Sequence, residues 1–281
     1  MERVSFMLQV IISPAKQMQV RSDAFSARGV PPFPEKTERL VRELRLIEGS
    51  LGSEGLRELW KVNDKLLAEN IDRLHEFSCV SSTAQLNDPV LARRLSPALF
   101  SYVGIQYRSM APDVLDGAAL DWLQGHLWVL SGLYGCLRPF DAVQPYRLEM
   151  GARLAVDGAR DLYEFWGSDI ARMVCGTASG LQGDCSVVVN LASVEYSKAV
   201  VPQLPDSALC VTIVFGEELR GDKPVQRATA SKIARGSMVR WMAERGIGSV
   251  EELTRFDVGY AYVPELSAAD GGRRTLVFMR A

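Results

Sequence analysis

Apolar residues recur along this chain in two rhythms, separated by polar, glycine- and proline-rich breaks. The first rhythm is a short unbroken run. Residues 6–13 (FMLQVIIS) are apolar with β-branched members and stop at Ser13-Pro14, which predicts a buried strand running into a turn. Similar runs stand at 127–130 (LWVL), 187–193 (VVVNLAS), 209–215 (LCVTIVF) and 275–279 (TLVFM). The second rhythm has helical spacing. Leu40, Leu44 and Ile47, then Leu56, Leu59 and Leu66, predict two or three amphipathic helices over 35–76 with a break near Gly49 and Gly52. Helices are also predicted around 115–123, over 161–175 and over 231–245. In the last, Ser231 is the expected cap, Ala234, Met238, Trp241 and Met242 share one face, and Gly246 takes the left-handed closing position.

The breaks fall at 22–34, through 136–151, and near Gly221-Asp222, where a hairpin is expected. Strands interleaved with helices predict an α/β (mixed α+β) fold with a central mixed β-sheet and flanking helices. No repeat or linker divides the chain, so residues 1–281 read as one domain. Met7 is an alternative start, and 1–6 then read as an N-terminal extension.

Composition narrows the function classes. With 47% apolar and 23% charged residues in a chain of 281, the protein is globular rather than disordered, collagenous or coiled-coil. Basic residues number 32 and acidic residues 34, a net charge of −2. That balance argues against a surface wholly devoted to nucleic acid but permits a local basic cleft. No apolar run reaches membrane-spanning length, and no small-residue cleavage site follows the first one, so neither a membrane partner nor a secretory leader is expected. Five cysteines without a C-x-x-C spacing suit a reducing cytoplasm. With only two histidines, His75 and His126, neither a metal site nor a cofactor is expected.

Four stretches carry candidate chemistry. Residues 130–151 (LSGLYGCLRPFDAVQPYRLEMG) set Arg138, Asp141, Tyr146, Arg147 and Glu149 among glycines and prolines. Guanidinium forks beside carboxylates suit an anion cradle, or equally an ion-pair network that fixes a long loop. Asn190, Ser193, Glu195, Tyr196 and Lys198 follow the 187–192 strand, where a helix starting near Val194 would carry them into the crevice beyond the strand ends. A capped helix start with a solvated face is the alternative. Ser13, Pro14, Ala15 and Lys16 repeat that arrangement after the first strand, without the glycines of a phosphate-binding P-loop. Residues 220–245 hold seven basic side chains against Asp222 and Glu244. There Lys232 and Arg235 lie one turn apart, facing an anionic ligand, a nucleic-acid backbone or solvent.

The stretches ISPAK (12–16), LSGLYG-x-LRP-x-D-x-x-x-PYRLEMG (130–151), DLYEFWG (161–167), VVNLAS-x-EY (188–196) and K-x-ARG (232–236) together resemble the YaaA family of peroxide-stress proteins. The long middle motif is the specific one. The resemblance implies a cytoplasmic α/β protein with a positively charged cleft, protection against hydrogen peroxide, restraint of free iron, and DNA binding through a helix-hairpin-helix-like element. The residues it places in the cleft are Ser13, Lys16, Arg138, Tyr146, Arg147, Glu149, Asn190, Ser193, Glu195, Tyr196, Lys198, Lys232 and Arg235. The chain departs from the family where Asp64-Lys65-Leu66-Leu67-Ala68-Glu69-Asn70 stands in place of D-K-L-A-G-I-N. It also departs at Leu99-Phe100-Ser101, and at Ile233, where the family has a second lysine. Each change removes a positive charge or a glycine turn while the cleft motifs remain.

Two partners therefore stand open: nucleic acid, or a small anion such as a nucleotide, phosphorylated metabolite or carboxylate. For the second, Arg138, Arg147 and Arg235 are the expected anion holders. Lys16 or Lys198, buried among arginines, is the proton-transfer group or nucleophile, Glu149 or Glu195 is the base, and Tyr196 is a further catalytic candidate. Ser13, Tyr146, Asn190, Ser193 and Lys232 are the remaining ligand-binding candidates. The central expectation is that Lys16, Arg138, Lys198 and Arg235 converge on one partly dehydrated hollow.

Overall fold

The apolar runs assemble into one sheet. The computed structural model describes residues 7–21, 25–176 and 185–281; the 1–6 extension and part of the 22–34 loop lie outside the described residues. The strands are β1 (Met7–Ile12), β2 (Leu127–Ser131), β3 (Gly135–Leu137), β4 (Cys185–Asn190), β5 (Leu209–Gly216), β6 (Tyr260–Tyr262), β7 (Ala268–Asp270) and β8 (Arg273–Arg280). Their order is β6-β8-β5-β4-β1-β2-β3, with β7 also on β8. The five inner strands are parallel, and β3, β6 and β7 run antiparallel at the margins. Val10, Ile11, Val188, Val189, Val211 and Ile213 are buried, as parallel strands covered on both faces require.

The first strand, β1, lies in the middle of this sheet. From β1 the chain crosses to β2 on one side, then returns to β4, β5 and β8 on the other. The order therefore reverses between β1 and β4, and a crevice opens beyond their carboxyl ends. Ser13 leaves β1 there, and Ser193 follows β4 there.

Among the helices are α1 (Pro34–Trp60), α2 (Asp64–Glu76), α3 (Ile105–Met110), α4 (Gly117–His126) and α5 (Ala228–Arg245). The expected break in the first amphipathic stretch falls at Gly52, whose φ of 68° and ψ of −170° interrupt α1. Residues 64–70 are the opening turns of α2, and the reversal before them is made by left-handed Lys61 and the Asn63 cap on the Leu66 amide. The 161–175 helix is two short ones, Leu162–Trp166 and Asp169–Val174, parted at Gly167.

The α5 helix corrects one expectation. It starts at Ala228, directly after the hairpin of Glu218–Arg220 and Lys223–Val225. Ser231 is not its cap: it already bonds back to Arg227 through its amide, lies inside the helix at 5% exposure, and has a buried Oγ without a partner. The predicted core face (Ala234, Met238, Trp241, Met242) is buried, and Gly246 closes the helix at φ 60°. Gly236 is required by close approach, because a Cβ there would collide with the Gln106 carbonyl of α3. That contact brings α3 and α5 together beside the crevice.

Candidate functional site

The two post-strand turns are tied to each other. The Ser193 amide donates to Ser13 Oγ at 2.8 Å, and Ser13 Oγ donates to Ser193 Oγ at 3.1 Å. They border a cavity of about 500 Å³. Its other walls are the 103–108 segment leading into α3, residues 146–149, and the α5 side chains Lys232 and Arg235. Five cationic side chains line it (Lys16, Arg108, Arg147, Lys232, Arg235) against the carboxylates of Glu149 and Glu195.

One half of the cavity is internally paired. Glu149 accepts from Arg147 Nη2 at 2.6 Å and pairs with Lys16 Nζ at 3.0 Å. Arg147 also donates to the Lys16 carbonyl at 3.3 Å. Glu195 Oε1 accepts from the Gly151 amide at 2.9 Å. These bonds hold the two turns against the 146–151 stretch.

The other half is not paired. Arg235, Arg108 and Lys232 have no ion-pair partner among the described residues. Arg235 Nε is buried without any hydrogen-bond partner, and so are Arg147 Nε and Gln106 Nε2. Burial alone pulls the Arg235 pKa below its ordinary value. A guanidinium desolvated with nothing to answer it is costly for a protein to keep.

Phenols fill the inner end. Tyr146 Oη lies 2.6 Å from Ser131 Oγ and 3.1 Å from Tyr102 Oη. Tyr107 donates to the Ser13 carbonyl at 3.0 Å. Burial raises the pKa of Tyr146, while its bonds to Ser131 and Tyr102 act in the opposite direction. Burial likewise pushes up Tyr196, partly opposed by the Met150 amide.

Ten of the thirteen sequence candidates border this one cavity. Ser13 and Lys16 come from the first turn, Tyr146, Arg147 and Glu149 from the middle motif, Ser193, Glu195 and Tyr196 from the second turn, and Lys232 and Arg235 from α5. Three do not. Arg138 follows β3, which runs back along β2, so it sits at the opposite end of the sheet. There its guanidinium lies 3.6 Å over the Trp128 ring and donates to the Gly125 and Leu127 carbonyls. Asn190 is buried inside the strand end, donating to Thr212 and accepting from the Ala192 amide. Lys198 lies over the Tyr163 ring at 4.9 Å. The expected four-way convergence is thus half right: Lys16 and Arg235 meet, while Arg138 and Lys198 do not join them. Nor is Lys16 buried among arginines, since its side chain is 69% exposed and paired with Glu149.

Gln106, Arg108, Tyr102 and Ser131 are site residues that sequence reasoning missed. None stands in a recognisable catalytic spacing. Ser131 stands in the 130–151 motif, and for the other three the signal was a polar interruption in the apolar stretch around 100–110. Among the described residues no cluster of three His, Cys, Asp or Glu side chains could hold a metal, and no described helix is long and apolar enough to cross a membrane.

The fold and the crevice define an α/β protein with a cavity at the switch point of a largely parallel sheet. Residues 8–266 match the family model described as "Peroxide stress protein YaaA". The chain is 41% identical over 264 residues to a "UPF0246 protein" of Pediococcus pentosaceus, spanning 94% of this chain and 96% of that one. It is 39% identical over 274 residues to a "UPF0246 protein" of Lachnoclostridium phytofermentans, covering 97% and 96%. A "UPF0246 protein" of Lactobacillus delbrueckii subsp. bulgaricus is 42% identical over 264 residues, covering 94% and 97%. This chain belongs to the YaaA peroxide-stress family.

Proposed function

We propose that this protein binds a small oxyanion in the switch-point cavity and that this binding serves a peroxide-stress role in the cytoplasm. The observation that carries the reading is Arg235: a buried guanidinium nitrogen without a partner, no ion pair among the described residues, and a place on the wall of a cavity shared with four more cations. An anion arriving there supplies the missing charge and hydrogen bonds, and a planar fork accepts phosphate or carboxylate in two-point fashion. The peroxide role rests on the family name. Burial pushes the Cys79 thiol up to about 11 and the Cys136 thiol higher, which disfavours the reactive thiolate at both.

Nucleic acid is the other partner class. The basic stretch 220–245 supports it less well than its charge suggests. Arg227 pairs with Glu218, Arg240 with Glu244, and Arg245 lies over Trp241. What remains free on α5 faces a cavity sized for a small molecule. A catalytic role for Glu149 or Lys16 would require the ligand to break their mutual pairing.

Thermal unfolding with phosphate, pyrophosphate, nucleotides, keto acids and a DNA duplex tests this directly. A small anion at a hundred times its Kd should stabilise the fold by about 2.7 kcal/mol, and Arg235→Gln should abolish the effect. Stabilisation by duplex alone, falling steeply with salt, would favour the nucleic-acid reading. A response unchanged in Arg235→Gln would overturn the proposed site.

A further inference from the structure

The hydrogen-bond directions around Tyr146 can be worked out proton by proton. Ser131 Oγ accepts from the amides of Leu133 at 3.2 Å and Tyr134 at 2.9 Å. A hydroxyl has two lone pairs and one proton. Both lone pairs are used, so the Ser131 proton is left for Tyr146 Oη at 2.6 Å. Tyr102 is buried, and among the described residues its hydroxyl meets only Tyr146. Its proton therefore also goes to Tyr146, because otherwise a buried donor would be left unmade. Tyr146 Oη thus receives two hydrogen bonds, and its own proton has no protein acceptor among the described residues. The ring borders the cavity.

The same count holds around the rest of the wall. Ser193 Oγ receives the Ser13 proton and keeps its own free. Gln106 Nε2, Arg147 Nε and Arg235 Nε are N–H groups without acceptors. Glu149 accepts from Lys16 and Arg147, and Glu195 Oε1 accepts from the Gly151 amide. Among the described residues, no carbonyl or carboxylate oxygen is a buried side-chain atom left without a partner.

We infer that the site takes a fully ionised oxyanion of the phosphomonoester type, one that presents only acceptor oxygens, and that Tyr146 is the neutral donor that selects it over a proton-bearing form. This deepens the anion-binding reading and rests on it. A ligand oxygen that kept its proton would bring less negative charge to Arg108, Lys232 and Arg235, which have no ion-pair partner among the described residues, and would point a donor at the N–H and O–H groups of that wall. The titratable and charged groups facing the anion are Lys16 from the first turn, Tyr107 and Arg108 from α3, and Tyr146, Arg147 and Glu149 from the middle stretch. Glu195 and Tyr196 face it from the second turn, and Lys232 and Arg235 from α5. Histidine is the side chain whose ordinary range lies between pH 5 and 8, and none lines the cavity. The pH dependence of binding in that interval therefore follows the ligand.

Calorimetric titration of the full chain with methyl phosphate and with sulfate, from pH 5 to pH 8, tests this. A phosphomonoester loses its second proton near pH 6, so methyl phosphate should bind about tenfold more weakly at pH 5 than at pH 8. Sulfate, ionised throughout, should not change. Tyr146→Phe should weaken both at pH 8 by about tenfold or more, with the melting curve checking its fold. Methyl phosphate bound equally well or better at pH 5 would overturn the inference while anion binding itself stood. An unchanged Tyr146→Phe affinity, with binding still lost in Arg235→Gln, would overturn the assignment of Tyr146. A wild-type chain that bound neither probe would overturn the anion site as a whole.

Discussion

Two arginines at opposite ends of the sheet are both pulled out of water, and only one of them is left wanting. Burial lowers Arg138 to about 10 and moves Arg235 in the same direction. Arg138 is answered by the protein: two backbone carbonyls accept from it, the Trp128 ring lies beneath it, and Asp141 is close enough to support its charge. Arg235 is answered by nothing among the described residues and faces a cavity. A buried cation alone therefore does not mark a site. A buried cation whose hydrogen bonds the fold has left open does, because the folded chain bears that cost until something outside it binds.

The sharpest way to break the contrast lies at the Arg138 end. Asp141, 6% exposed, accepts from the Arg138 amide at 2.8 Å, yet burial outweighs that bond and lifts its pKa from 3.8 to about 7. Its folded pKa is above its unfolded one. The stability it contributes is thus fully present below about pH 4 and is lost as pH rises through about 7. Relative to Asp141→Asn, the wild type should lose up to about 4 kcal/mol between pH 4 and 8. Urea midpoints of the two proteins across that interval measure it, and parallel curves would show that Arg138 keeps Asp141 ionised.

The arginines themselves should differ in sign. Arg138→Gln should destabilise the fold by about 2 kcal/mol, through lost carbonyl bonds and lost stacking on Trp128, and leave ligand stabilisation intact. Arg235→Gln should leave the empty protein as stable or more stable by about 1 kcal/mol, since it removes an unanswered buried charge. Denaturant unfolding of both without ligand decides this, and equal losses would erase the distinction between the two ends. The smallest effect belongs to Lys198. Its ammonium over Tyr163 is exposed, so Lys198→Ala should cost about 0.5 kcal/mol and change no ligand response in the same assays.

Much of the architecture was legible from local pattern. The apolar runs 6–13, 187–193 and 209–215 are strands because β-branched residues buried on both faces have few other places to go. The face Ala234–Met238–Trp241–Met242 and the terminal Gly246 read correctly as a helix, but its start did not. Ser231 has the chemistry of a cap, whereas the adjoining hairpin sets the first turn earlier, at Ala228. Ser13 and Lys16 after β1 and Ser193 and Glu195 after β4 were legible for the same local reason, since a strand end followed by a hydroxyl and a charged side chain is a short-range signal.

Arg138 was misread for a reason no local pattern contains. It lies nine residues before Arg147 in one continuous motif. The antiparallel return of β3 along β2 nevertheless carries it to the far end of the sheet, while the chain beyond brings Arg147 back to the crevice. Gln106 and Arg108 were invisible for the converse reason, because they matter only where Gly236 lets α3 approach α5 closely. Strand and helix identity follow from each residue's neighbours in sequence. Which donors remain unanswered depends on every acceptor within about 3 Å, and those acceptors come from stretches of chain far apart in sequence, brought together only by the crossing order of the strands.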